Sequence, residues 1–257
     1  MRLLFLTHAY QDVLRGGLAE FLHHLPVALQ SFGIDSLIYT KACDKETSNL
    51  IGPEQLPNGI ERYMGPFLKP GFFVSNKVLQ PLIKLCQQER IDLVHAQGVY
   101  RAGFISQAIK KRLGIPYIIT SHSDISQTNS KRMQRRRIKE RCKKILSHAD
   151  FVTHLTPMMQ LHSDAILNTH NKSKIIHNGI AVASWASHLQ HQGDYILAIG
   201  RLEPEKGFDL ILDVYSNLYQ KGVRTSLVIA GNGSIESQLQ AKALAVKKLD
   251  LTEYMIS

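Results

Sequence analysis

Short apolar runs rich in β-branched residues alternate along the chain with longer segments in which apolar positions recur every three or four residues. Leu3–Leu6 precedes Gly17–Phe32, Ser36–Thr40 comes next, and Lys77–Arg90 is followed by Leu93–His95. This alternation predicts strands and helices in the order of parallel βαβ units. Tyr117-Ile118-Ile119-Thr120 lies between Gly114-Ile115-Pro116 and a polar loop. Phe151–Leu155 follows the helical pattern Ile138–Ala149. Both runs are expected as strands buried on two faces.

The rhythm breaks once. After Lys174-Ile175-Ile176-His177 and Asn178-Gly179, the stretch Ala181–Gly193 has no clear period and mixes polar with small residues, as a linker does. Tyr195–Gly200 then begins a new strand, Phe208–Gln220 a helix, Ser226–Ala230 a second strand and Ser234–Lys248 a second helix. The expected class is α/β, with a complete N-terminal Rossmann-like domain over 1–180, a linker over 181–193 and an incomplete second Rossmann-like domain over 194–257. The third strand of that second domain is due at Leu251–Ser257, where the sequence ends. Doubly wound sheets bind ligands beyond the carboxyl ends of their strands, so candidate chemistry is sought just after each strand.

Composition adds limits. With 44% hydrophobic and 20% charged residues in 257, the chain is ordinary globular protein and not a disordered one. Met1–Thr7 is too short an apolar run for a signal peptide, and no run reaches the ~20 apolar residues of a spanning helix. Cys43, Cys86 and Cys142 are odd in number and widely spaced, which points to a reduced, cytoplasmic setting. The formal charge of +10 calls for an acidic partner without saying which.

Two loops carry candidate anion chemistry. Arg15-Gly16-Gly17-Leu18-Ala19-Glu20 leads into a helix, where glycines allow close approach of an anion to free N–H groups, although a plain tight turn has the same look. No Gly-x-Gly-x-x-Gly is present, which disfavours a nicotinamide dehydrogenase. In the second domain, Gly200-Arg201-Leu202-Glu203-Pro204-Glu205-Lys206-Gly207 sets an arginine past a strand and a lysine before the next helix. Arginine forks onto phosphate oxygens and lysine supplies a point charge.

These loops, together with Asp92–Gly98, Gly114-Ile115-Pro116 with Thr120-Ser121-His122, Asn178-Gly179 and Val228–Gly233, occur in one order along nearly the whole chain. In that order they resemble the GT-B glycosyltransferases of family four. The resemblance implies that Arg201 and Lys206 hold the diphosphate of a UDP- or GDP-linked sugar, with Gly16, Gly17 and Gly231 also on the donor. It implies that His122 contacts the donor sugar or positions a sugar or lipid-linked acceptor, read by loops such as Cys43–Pro70. It further implies hexosyl transfer with retention, no cofactor and no metal, fixed cations and helix N-termini taking the place of a divalent ion. No nucleophile is identifiable; Asp124 fits a loop cap and His95 a structural residue.

Lys131–Lys144 is densely basic, with Ile138, Cys142, Ile145 and Ala149 at helical spacing to face inward. It reads either as a solvated face or as a surface for anionic membrane or a phosphorylated acceptor. Nucleic acid is disfavoured because no aromatic residues are interleaved. The family's paired-glutamate motif, which holds the donor ribose, is absent from the sequence. The expectation is therefore a hexosyltransferase or, alternatively, a truncated, inactive remnant acting as a binding module. A nucleotide-sugar 2-epimerase of the same architecture is a third reading.

Overall fold

The computed structural model describes residues 1–8, 17–42, 50–67, 74–122, 134–179, 194–247 and 255–256. The chain forms two compact units, Met1–Val182 and Ala183–Ser257. The expected linker over 181–193 lies outside the described residues.

The first unit runs β1 (Arg2–Leu6), α1 (Gly17–Gln30), β2 (Asp35–Lys41), β3 (Ile51–Gln55), β4 (Glu61–Gly65), α2 (Asn76–Gln88), β5 (Leu93–Gln97), α3 (Arg101–Leu113), β6 (Tyr117–Ser121), α4 (Arg136–His148), β7 (Phe151–His154), α5 (Pro157–Asp164) and β8 (Ser173–Ile175). Its eight strands are ordered β3-β4-β2-β1-β5-β6-β7-β8. All neighbours pair in parallel except β3 with β4. The order reverses between β1 and β5, so the switch point lies where the ends of β1, β5 and β6 lie side by side.

Alternation along the strands makes two cores. Leu3, Phe5 and Ile38 pack with Leu22 of α1 on one face. Leu4, Leu6, Val94 and Ile119 pack with Leu82, Ile105 and Ile145 of α2, α3 and α4 on the other. Local signals fix the helix ends. Gly114 caps α3 in the left-handed region (φ 73°), with Lys110, Lys111 and Arg112 in the last turn opposite the negative end of the dipole. The Thr156 hydroxyl accepts from the Met159 N–H at the start of α5, and Pro157 follows it. In α4, Cys142, Ile145, Leu146 and the adjoining Ala149 are buried and Ile138 is partly so, the inward stripe that the spacing predicts.

The segment Cys43–Pro70, expected as an acceptor-reading loop, contains β3 and β4 in its described part. Every β3 residue is exposed, so no apolar run marks it in the sequence. Its partner β4 carries Arg62, whose guanidinium is buried because it pairs with Glu54 at 2.7 Å. The buried Cys86 and Cys142 are not joined in a disulfide, and Cys43 lies outside the described residues. Among the described residues no helix is long and apolar enough to cross a membrane.

The second unit runs β9 (Tyr195–Ile199), α6 (Phe208–Gln220), β10 (Ser226–Ala230), α7 (Glu236–Lys247) and β11 (Met255–Ile256), with strand order β11-β10-β9, all parallel. Its core is small: Leu202, Phe208, Leu212 and Leu239. Tyr195, Ile196, Leu197 and Ile199 are exposed along β9. A sheet so thinly covered opens at low cost. Amides of 195–199 and 226–230 are therefore expected to exchange with deuterium much faster than those of β1, β5 and β6, as read by mass spectrometry. Equal protection in the two sheets would overturn this.

Candidate active site

In the first unit, the carboxyl ends of β5 and β6 are neighbours in register, Gln97 beside Thr120. His122 follows β6 directly. Its Nε2 lies 2.7 Å from Gln97 Oε1. With a carboxamide oxygen as partner the ring nitrogen donates, so the neutral ring is the Nε2–H tautomer and Nδ1 remains an acceptor. Phe21, one turn into α1, meets the imidazole edge-on, with centroids 5.4 Å apart and planes at 72°. Gly17 opens α1 one turn earlier on that face. The strand end, the tautomer-setting amide and the first turns of α1 are thus brought together. Gly16 and Asp124 lie outside the described residues.

Beneath His122 runs a buried polar row. His95 Nε2 is 2.6 Å from Thr120 Oγ1, which is 2.7 Å from Thr153 Oγ1, crossing β5, β6 and β7. The His95 ring also sits 5.1 Å from that of Phe5. This satisfied, enclosed environment gives His95 a structural role. Burial, with a smaller contribution from His122, lowers its pKa to about 3. Burial likewise lowers His122 to about 4. Both imidazoles are neutral near pH 7, so His122 acts as a hydrogen-bonding group and not as a fixed cation.

Sequence reasoning missed Gln97 as a functional residue. It is 1% exposed, and its Nε2 has no hydrogen-bond partner among the described residues. Its position at the last residue of β5, beside the end of β6, was the available signal. Replacing it by glutamate places a carboxylate against the imidazole, which favours the charged ring. In Gln97→Glu the His122 midpoint, followed by NMR, is expected to rise above the free-imidazole value of about 6.5. An unchanged midpoint would remove Gln97 from this role.

In the second unit, Arg201 and Lys206 lie on the loop and short 3-10 turn between β9 and α6, and both are exposed. Arg201 approaches Glu205 at 3.6 Å with both side chains more than half exposed. Such a pair is worth about 0–1 kcal/mol and yields easily to a phosphate. Gly207 ends the turn in the left-handed region (φ 69°) and caps α6. The loop is held rigidly: Leu202 N–H donates to the Asn232 carbonyl at 2.7 Å, and Ile235 N–H to the Leu202 carbonyl at 3.1 Å. Glu203, also missed from sequence, accepts from the Ser234 hydroxyl at 2.6 Å and lashes this loop to the one after β10.

Gly231 has a packing reason to be glycine. A Cβ there would run into the Gly200 carbonyl oxygen, and one at Gly233 into that of Leu202. The two loops after β9 and β10 touch backbone to backbone, which is sufficient to require the residue without any ligand. Among the described residues no group of three or more His, Cys, Asp or Glu side chains converges as a metal-holding set.

The Glycosyltransferase Family 4 profile matches residues 15–184, and that of Glycosyl transferases group 1 matches 182–254. An uncharacterized glycosyltransferase of Methanocaldococcus jannaschii is 22% identical over 88% of this chain and 58% of its own. The uncharacterized glycosyltransferase YqgM of Bacillus subtilis is 26% identical over 66% of this chain and 48% of its own. The chain thus spans about half the length of the curated relatives it matches. Among solved structures, Anabaena HepE in complex with UDP and glucose superposes with a TM-score of 0.67 at 15% identity, covering 100% of this chain and 69% of that one. The fold is that of the GT-B glycosyltransferases, and the chain belongs to glycosyltransferase family 4, with its second unit of the glycosyl transferases group 1 type.

Proposed function

We propose that this chain carries the donor-diphosphate and sugar-facing parts of a hexosyltransferase that uses a UDP- or GDP-sugar and retains anomeric configuration. The observation that carries the reading is the hydrogen-bonded second-unit loop presenting Arg201 and Lys206, both exposed, with Arg201 paired to an exposed glutamate. HepE's bound UDP supports a nucleotide donor for this fold.

In this reading Arg201 forks onto the diphosphate and Lys206 adds a point charge, so that negative charge building on the departing phosphate is met by groups already in place. No metal or cofactor enters the step. Within the first unit, the neutral His122 ring offers Nδ1 as an acceptor to a sugar hydroxyl while Gln97 fixes the tautomer. The Gln97 amide keeps N–H groups for a further hydroxyl or carbonyl oxygen. By itself, the start of α1, where Gly17 stands, presents the positive end of a helix dipole to an anion. The acceptor is a sugar or a lipid-linked sugar.

The test is release of UDP or GDP from a panel of nucleotide sugars with and without acceptors, with product configuration read by NMR. Acceptor-dependent release with an unchanged anomer supports the proposal. Donor binding without release would favour the binding-module reading.

A further inference from the structure

The chain's excess charge is concentrated on one side of the first unit. Helices α3 and α4 together carry ten Lys and Arg against the single Glu140, a local excess close to the formal +10 of the entire chain. The two lie side by side: Gln107 Nε2 donates to the Lys144 carbonyl at 3.1 Å and Lys110 Nζ to that of His148 at 3.1 Å. Lys110 is spent on Asp150 at 2.7 Å. Lys111, Arg112, Arg136, Lys139, Lys143 and Lys144 are exposed.

The cations border a groove of about 880 Å³ between α2, α3 and α4. Val74, Leu79, Phe104 and Ala108 give it an apolar lining, and Lys111, Arg112, Arg141 and Lys144 line it with charge. The Arg141 guanidinium covers the Phe104 ring at 4.4 Å, so that ring is not open for a nucleobase to stack on. A face with this density of exposed cations matches a surface that is anionic on the outside.

We propose that the α3–α4 face is a docking surface for the anionic headgroups of a lipid bilayer. It combines the basic run seen in the sequence with Lys111 and Arg112 of α3, which only the fold brings to it. The face packs its buried side with the α2-side core, whereas His122 is packed by Phe21 of α1 on the opposite face of the sheet. Docking therefore leaves the His122 side uncovered. The inference is independent of the transfer reaction, and either can fail without the other.

The experiment is co-sedimentation of the whole chain with vesicles of phosphatidylcholine alone, or mixed with phosphatidylglycerol, over a salt series. Pelleting is expected with the anionic vesicles only, and added salt should release the chain. In the triple variant Lys111→Glu, Arg112→Glu, Lys143→Glu, binding should fall by about 100-fold, since each basic residue at a surface contributes about fivefold. Lys41→Glu, Lys174→Glu, Lys221→Glu removes the same net charge elsewhere and should retain binding. Equal pelleting with neutral vesicles, insensitivity to salt, or equal loss in the two variants would overturn the proposal. So would a DNA duplex bound as tightly as the vesicles, which would make the face a general polyanion surface. The salt series on the unaltered chain needs no variant to fold.

Discussion

Replacing both Arg201 and Lys206 by alanine is expected to weaken UDP or GDP binding by about 100- to 10,000-fold, with little change in stability. Charge-assisted hydrogen bonds contribute about 1.5–3 kcal/mol each, and each 1.4 kcal/mol is a factor of ten. The folded chain loses little, because the ion pair removed among the described residues is the exposed contact of Arg201 with Glu205. Calorimetric titration of the variant with the nucleotide, alongside a thermal melt, separates the two effects. Retained affinity would dismiss the loop as a diphosphate site. A collapsed melting transition would instead make the residues structural.

The second large effect is acid sensitivity arising from His95 and His122. Their folded pKa values, about 3 and about 4, lie below the unfolded value of about 6.5. Between those limits the unfolded chain binds protons that the folded chain refuses, so stability rises with pH. It is complete above about pH 6.5 and is lost as the pH falls towards 4 and 3. Each histidine contributes a slope of about 1.4 kcal/mol per pH unit. Against a total of about 5–15 kcal/mol, such losses move an unfolding midpoint visibly. Urea midpoints measured from pH 7 down to pH 4 should fall steeply in the unaltered chain and less steeply in His95→Gln. Identical slopes in the two proteins would show that His95 does not stay neutral on folding.

What the sequence disclosed follows from which forces are local. β1, β5, β6 and β7 were legible because parallel strands buried on two faces are continuous apolar runs. The α4 stripe was legible because Cys142, Ile145 and Ala149 keep helical spacing. β3 and β4 escaped because their evidence is long-range. An edge strand with no buried residue needs a partner to exist, and Arg62 could be read as buried only once Glu54 was known to oppose it.

The candidate site divides in the same way. His122, Arg201 and Lys206 announced themselves by standing just past strand ends in a doubly wound pattern. Gln97 did not, because its meaning depends on a hydrogen bond to a residue 25 positions away. Glu203 depends on Ser234, 31 positions away. Gly231 illustrates the converse: a glycine in a suggestive motif whose packing against Gly200 already accounts for it.

The most direct test of the central claim is calorimetric titration of the unaltered chain with UDP and GDP, each against its nucleoside without phosphates. The account predicts binding that requires the diphosphate and weakens as salt is raised, since Arg201 and Lys206 supply the attraction. Nucleosides bound as well as their diphosphates, or no binding of either diphosphate, would contradict it.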